Sequence, residues 1–282
     1  MKRPRASGPE SEKPAEEIRI EELRRREEEE KQAQEAKLKK LREDIQSLKP
    51  LHMKEEEKDQ TNLMIKELDF ASKQIGDKGV EMLLNYKIPN LESLNLSLNK
   101  ISEIGAETLV EKPKWPKLIM LNLSYNHIDA EGASILAKSN SWINLRELHL
   151  RNNDIGDGGA AALSQSASWM NLTILDLSGN NITFEGATAL AKNTSWTNLT
   201  GLYFLSNKFG DEGAAALASN TSWTNLTTLN LAYNDLSDKG VIALTKNKSW
   251  MKLTRLELAN NSIAIDGVKK LRRRWRTCEF IV

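Results

Sequence analysis

A leucine returns every 27 residues along most of this chain, at Leu91, Leu118, Leu145, Leu172, Leu199, Leu226 and Leu253, and no other feature constrains the fold as much. The same period carries Asn99, Asn126, Asn153, Asn180, Asn207, Asn234 and Asn261, a glycine series from Gly105 through Gly186 to Gly267, and a tryptophan series from Trp115 through Trp196 to Trp250. A degenerate first copy, one residue out of step, supplies Leu68, Phe70, Ile75 and Gly79. A period of this length means stacked supersecondary units, each too small to bury its own apolar side.

Within residues 171–182 apolar and polar positions alternate through Leu175 and Leu177, the period of a short half-buried strand. The period then changes. Residues 186–192 are small and apolar at helical spacing, with Glu185 near the start, where the backbone dipole favours an acid. Each unit is thus a strand followed by a helix, and stacking joins the strands into a parallel sheet with the helices behind it. Helices are wider than the ~4.8 Å between strands, so the stack bends toward the strands and the sheet becomes the concave face. The expected fold is an α/β solenoid, a curved horseshoe with a parallel concave sheet and convex helices, preceded by a charged N-terminal helix. The expected division is a disordered arm at 1–14, a charged helix and linker at 15–60, and a domain of about eight 27-residue units at 61–282.

The motif LxxLxLxxNxIxxxGAxxLA at residues 172–191 resembles the ribonuclease-inhibitor-like class of leucine-rich repeats, and the units are most similar to those of NOD-like receptors. The resemblance spans about residues 63–282. It implies the horseshoe fold and a non-catalytic scaffold that binds a protein partner. Some proteins of that class stimulate small GTPases, which makes a GTPase-activating or regulatory role the alternative. A ligand-sensing array is a further one, although no nucleotide-binding domain accompanies these repeats.

The repeated polar residues have structural work to do. An asparagine after each strand has two donors and an acceptor for backbone groups at a turn off the sheet. The glycine at each helix entry suits a close approach or an unusual dihedral. The tryptophans, just before each strand, are expected to stack in the core, with ligand binding as the competing reading. Lys73 replaces the asparagine in the first copy, and Pro113 and Pro116 interrupt the loop around Trp115. Residues 278–282 are expected to form a final capping strand after a helix carrying Lys269, Lys270, Arg272, Arg273, Arg274 and Arg276; that basic run is either a solvated face or an anionic-partner surface.

Residues 1–60 hold 33 of the 79 charged side chains, which is too polar for a core. Residues 15–49 lack Pro and Gly and favour helix, ended by Pro50. Leu38, Leu41, Ile45 and Leu48 form one short apolar seam, while the preceding heptads place Arg24, Glu27, Lys31 and Gln34 there. Two readings stay open: a solvated charged helix, or weak self-association or docking through the seam, a coiled coil at its simplest. The expected state is a monomer. A net charge of +1 argues against nucleic acid and membrane as partners, and the short Lys2-Arg3-Pro4-Arg5 cluster is a weak nuclear address at most. With no run of 18 apolar residues and a charged N-terminus, the expected location is cytoplasmic, and the ten Asn-X-Ser/Thr sequons are by-products of the repeat.

No cofactor, metal site or catalytic residue is expected. The chain has no P-loop, HExxH, CxxC or GxSxG motif, one cysteine, Cys278, and three scattered histidines, His52, His127 and His149. Function falls instead on the outward strand positions that the repeat leaves free. One column reads Asn95, Asn122, His149, Asp176, Tyr203, Asn230, Glu257, and the next Ser97, Ser124, Arg151, Ser178, Leu205, Ala232, Ala259. The third to fifth full repeats depart most from small polar filler. The candidate partner-binding residues are His149, Arg151, Asp176, Tyr203, Leu205 and Tyr233, a mixture typical of interface centres; Tyr233 belongs to the following column, as does Tyr125. His149 beside Asp176 also reads as a simple exposed hydrogen-bonded pair.

Overall fold

Only three residues of each unit alternate in and out before the chain turns away, so every strand is three residues long. In a computed structural model, which describes residues 15–47, 65–111, 115–140 and 142–282, these are β1 (Glu67–Asp69), β2 (Ser93–Asn95), β3 (Met120–Asn122), β4 (Glu147–His149), β5 (Ile174–Asp176), β6 (Gly201–Tyr203), β7 (Thr228–Asn230), β8 (Arg255–Glu257) and β9 (Glu279–Ile281). Among the described residues they pair in chain order as one parallel sheet. The register places Leu68, Leu94, Leu121, Leu148, Leu175, Leu202, Leu229, Leu256 and Phe280 in a single inward row. The leucines are buried and Phe280 is partly so. The expected capping strand is β9.

Behind the sheet lie α2 (Gly76–Leu83), α3 (Glu103–Glu111), α4 (Ala130–Ala137), α5 (Gly156–Ser164), α6 (Phe184–Ala191), α7 (Gly210–Ser219), α8 (Asp238–Leu244) and α9 (Ile265–Arg274), each packed on the next. Ala133, Ala160, Ala187 and Ala214 are fully buried, small enough to let helix and sheet approach. The tryptophans from Trp115 to Trp250 are core, at most 1% exposed, which removes them from the candidate ligand-binding residues. Their indole N–H groups find no hydrogen-bond acceptor.

The asparagine series does the work expected of it. Asn207 Oδ1 accepts from Asn180 N at 3.1 Å and Ile182 N at 3.0 Å, while Nδ2 donates to Leu177 O and Phe204 O, both at 3.0 Å. One side chain thus joins two repeats across the turn. The first copy keeps the same pair of bonds although Lys73 replaces its own asparagine: the backbone N–H groups of Lys73 and Ile75 donate to Asn99 Oδ1. The sequence reading missed a second series. Asn193, Asn220 and Asn247, after the helices, accept from the N–H of Trp196, Trp223 and Trp250 and donate to the preceding repeat.

The helix-entry glycines are explained by close approach. Asp211 Oδ1 accepts from Ser237 N and Gly240 N, both at 2.8 Å, and Oδ2 accepts from Ser237 Oγ at 2.6 Å. A Cβ at Gly240 would stand 2.5 Å from Asp211 Oδ1. Asp157 does the same for Thr183 and Gly186. An aspartate of one repeat therefore caps the helix of the next. Burial acts to raise the Asp211 pKa, but the bonds from Ser237 and Gly240 outweigh it and hold the carboxyl below its ordinary value.

The helix α1 (Ala15–Ser47) touches the first repeat through Gln34 Nε2 to Ile75 O at 3.0 Å, Lys37 Nζ to Gln74 Oε1 at 2.7 Å, and a partly buried Leu38. Docking is thus seen at Leu38, while the described side chains from Arg19 to Glu30 are solvated. The expected arm at 1–14, the residues 48–60 with Leu48, Pro50 and His52, Pro113, and the side chains of Leu41 and Ile45 lie outside what is described. Of the basic run, Arg274 is structural: Nη2 donates to Asn247 O at 2.7 Å, one period on from Asn247, so it finishes the second asparagine series.

Three stability tests rest on these contacts. Asn207→Ala strands four buried backbone partners and is expected to cost about 3 kcal/mol or more, against less than about 1 kcal/mol for the exposed Asn198→Ala, in urea titrations. Trp196→Ala is expected to cost about 3–5 kcal/mol by the same measurement. Because the Asp211 carboxyl is depressed on folding, its contribution is complete above the ordinary value of 3.8 and is lost as pH falls through the lower folded value. Acid titration of the unfolding midpoint is expected to show that loss, and Asp211→Asn to remove its share of it.

Candidate functional site

The outward residue that ends each strand lies beside its counterpart on the next, so parallel register alone builds a row. Asn122 faces His149, His149 faces Asp176, Asp176 faces Tyr203, and Tyr203 faces Asn230. Successive members are ~4.8 Å apart along the pairing direction. The inward leucines fix the strands beneath them. His149, Asp176 and Tyr203 are half-exposed, and Asn230 is buried.

The pairing of His149 differs from the one expected. Its Nε2 lies 3.6 Å from Glu147 Oε2 on its own strand. Asp176 Oδ1 instead accepts from Ser178 N at 2.9 Å, a tight local turn off the strand end. Two residues apart on one strand, Glu147 and His149 share a face, whereas Asp176 is drawn down to its own backbone.

Tyr203 has a seat built for it. A Cβ at Gly201 would come within 3.0 Å of the Tyr203 ring, so the absent side chain is what lets the phenol lie over its own strand. Every other full repeat has a side chain at that position, from Ser93 to Arg255. Burial is the first cause that raises the Tyr203 pKa, followed by Glu257 and Asp176, with Arg255 opposing and Glu147 adding a little; the phenol stays neutral. Glu257 itself is held by Asn230 Nδ2 and Arg255 Nε, both at 2.6 Å, and Arg255 Nη1 reaches Glu279 at 2.9 Å.

The neighbouring column is a correction. Ser97, Ser124, Ser178 and Ala232 were expected to face solvent and are instead buried, because the chain there is already bending off the sheet. Arg151 and Leu205 share that column and are only half-exposed. The Arg151 Nε is covered without a hydrogen-bond partner, and the guanidinium carbon stands 6.0 Å from the centre of the Tyr125 ring. The next residue of each repeat takes left-handed backbone, as at Tyr125 (φ 57°) and Tyr233 (φ 54°), which swings the side chain outward. Tyr125 and Tyr233 are accordingly exposed, Tyr233 at 53%.

Sequence reasoning missed a shallow groove of about 500 Å³ at the N-terminal edge of the strands, lined by Asn171, Thr173, Asn198, Thr200 and Asn225, with Arg146 and Lys252 at its ends. Its signal was the Asn-Leu-Thr triplet at the 27-residue period. Its amides and hydroxyls donate to carbonyls of the preceding repeat, for example Asn198 Nδ2 to Met170 O at 2.8 Å and Thr227 Oγ1 to Thr200 O at 2.9 Å, so their donors serve stacking. The lone thiol of Cys278 is buried, and burial above all, then Glu279, pushes its pKa up to about 11, which leaves it protonated and unreactive.

Seven segments, 61–84, 87–110, 116–137, 143–164, 170–191, 197–218 and 224–244, match the Leucine Rich repeat family model and together make up more than half of the chain. The chain belongs to the leucine-rich-repeat family. Leucine-rich repeats generally mediate protein–protein interaction and are typically non-catalytic. No curated protein matches the chain. Among the described residues no helix is long and apolar enough to cross a membrane.

The Tyr203 seat is testable without a partner. Gly201→Thr puts a side chain under the ring and is expected to lift it into solvent, returning the phenol toward an ordinary pKa of about 10. A carbon-13 tyrosine titration reads this directly; an unchanged, raised value would show that Gly201 does not set the ring.

Proposed function

We propose that this leucine-rich-repeat protein is a non-catalytic scaffold that engages a protein partner through the middle of its concave sheet face. In this reading Tyr203 is the anchor, His149, Arg151 and Asp176 are polar neighbours, and Leu205 and Tyr233 extend the contact toward the strand ends. The observation that carries it is the row of His149, Asp176 and Tyr203 on a rigid sheet, with an aromatic ring seated over Gly201. Rigid strands lose little entropy on binding, and exposed aromatic and arginine groups at the centre of a patch are the usual anchors.

The subclass is proposed to be ribonuclease-inhibitor-like, close to the repeats of NOD-like receptors, supported by a full helix behind almost every strand. A cytoplasmic location and a monomeric state complete the proposal, with segment 1–60 as an appendage to the repeats at 61–282. Three sequon asparagines support the location. Asn193, Asn220 and Asn247 are buried, with both ends of the amide hydrogen-bonded, so a glycan there would break the second asparagine series.

The test is calorimetry against whichever partner is captured from lysate. Tyr203→Ala is expected to weaken binding by about 2 kcal/mol or more while leaving the unfolding midpoint in place, and Lys192→Ala, at the exposed end of α6, by less than about 0.5 kcal/mol. The reverse ranking moves the site to the helices.

A further inference from the structure

The outward strand positions are far more acidic than the chain. They carry Glu67, Asp69, Glu147, Asp176, Glu257 and Glu279 against Arg255, with Arg151 in the adjoining column, in a protein whose net charge is +1. No described element covers this face.

The fold does not require all of this charge. Asp69 Oδ1 and Asp176 Oδ1 each accept one backbone N–H two residues on, from Ala71 and Ser178, at 2.9 Å. In β2, β3 and β7 the same bond is accepted by Asn95, Asn122 and Asn230, at 3.1, 2.9 and 3.0 Å. A neutral amide therefore does the structural work in three repeats, and the negative charge at Asp176 is surplus to it. Glu257 and Glu279 share Arg255. Glu147 and Asp176, by contrast, have no lysine or arginine ion pair among the described residues, and they lie on β4 and β5, the two strands that precede the one that seats Tyr203, with Asp176 directly beside it.

Resting on the concave-face reading above, we propose that the partner is a protein segment rich in arginine or lysine, and that one of its cations lies over the Tyr203 ring with Asp176 and Glu147 as counter-charges. An aromatic face attracts a cation, and carboxylates beside it on a half-buried surface add to that attraction and exclude anionic partners. The sign of this field repels nucleic acid and anionic lipid alike.

The experiment is an NMR titration of the full chain with two capped peptides, Gly-Arg-Gly-Arg-Gly and Gly-Glu-Gly-Glu-Gly. The arginine peptide is expected to shift the β4–β6 amides saturably, and the glutamate peptide to leave them unmoved. Asp176→Asn, which keeps the backbone bond, is expected to weaken the arginine peptide about threefold or more at low salt, with the difference fading near about 0.5 M salt as screening shortens the field. The charge assignment is overturned if both peptides act alike, if Asp176→Asn has no effect, or if the arginine peptide reads out only at the exposed Glu27, Glu28, Glu29 and Glu30 of α1. If any of these occurs while Tyr203→Ala still weakens a captured partner, the concave-face reading stands without the charge assignment. Loss of the Tyr203→Ala effect overturns the concave-face reading itself.

Discussion

A three-residue parallel strand cannot turn toward a helix on its own flank without stranding backbone N–H and C=O groups, and one asparagine amide per repeat is what satisfies them. Buried amides without partners would cost more than the short strand contributes, so the turn exists only because Asn126, Asn153, Asn180, Asn207 and their equivalents fill it. The leucine row, the tryptophans and the helix caps all presuppose that turn. Each asparagine also reaches one repeat along the stack, so local turn chemistry and cohesion between repeats are the same bonds.

An open stack must also finish its bonds at both ends. At the N-terminal end, Asn99 serves the first copy, and Gln34 of α1 donates to Ile75 O. At the C-terminal end, Arg274 takes the place of a further asparagine, while Trp275 Nε1 donates to Trp250 O at 3.1 Å. Trp275 is thus the one described tryptophan of the repeats with a paired indole, and it sits where the series stops. The ends differ from the middle because each lacks a neighbour on one side.

With cohesion carried on the inner side and at the turns, the outward strand residues carry little of the fold. Their chemistry can vary from repeat to repeat at small cost, and it does: asparagine in several rows, then His149, Asp176 and Tyr203 in succession. Gly201 makes the clearest case, because losing a side chain there serves the neighbouring ring rather than the sheet. In the proposed function, interaction specificity resides in these departures from the repeat.

The 27-residue period alone determined the strand–helix unit, its stacking order, the inward leucine row, the turn asparagines and the outward row from Asn95 to Glu257. These are legible because a repeat superposes every unit on one pattern, so a position's side recurs with its period. Only the tertiary structure decided what depends on contacts between repeats. Asp211 capping the next helix, the donation of Asn193, Asn220 and Asn247 to the preceding repeat, and the packing of α1 on Ile75 join residues that no local pattern relates. The burial of Ser97, Ser124, Ser178 and Ala232 belongs here too. Alternation continued one step beyond the strand assigns them to solvent, but the backbone has by then begun its left-handed turn, and that dihedral, held by the asparagine below, buries one column and turns the next outward.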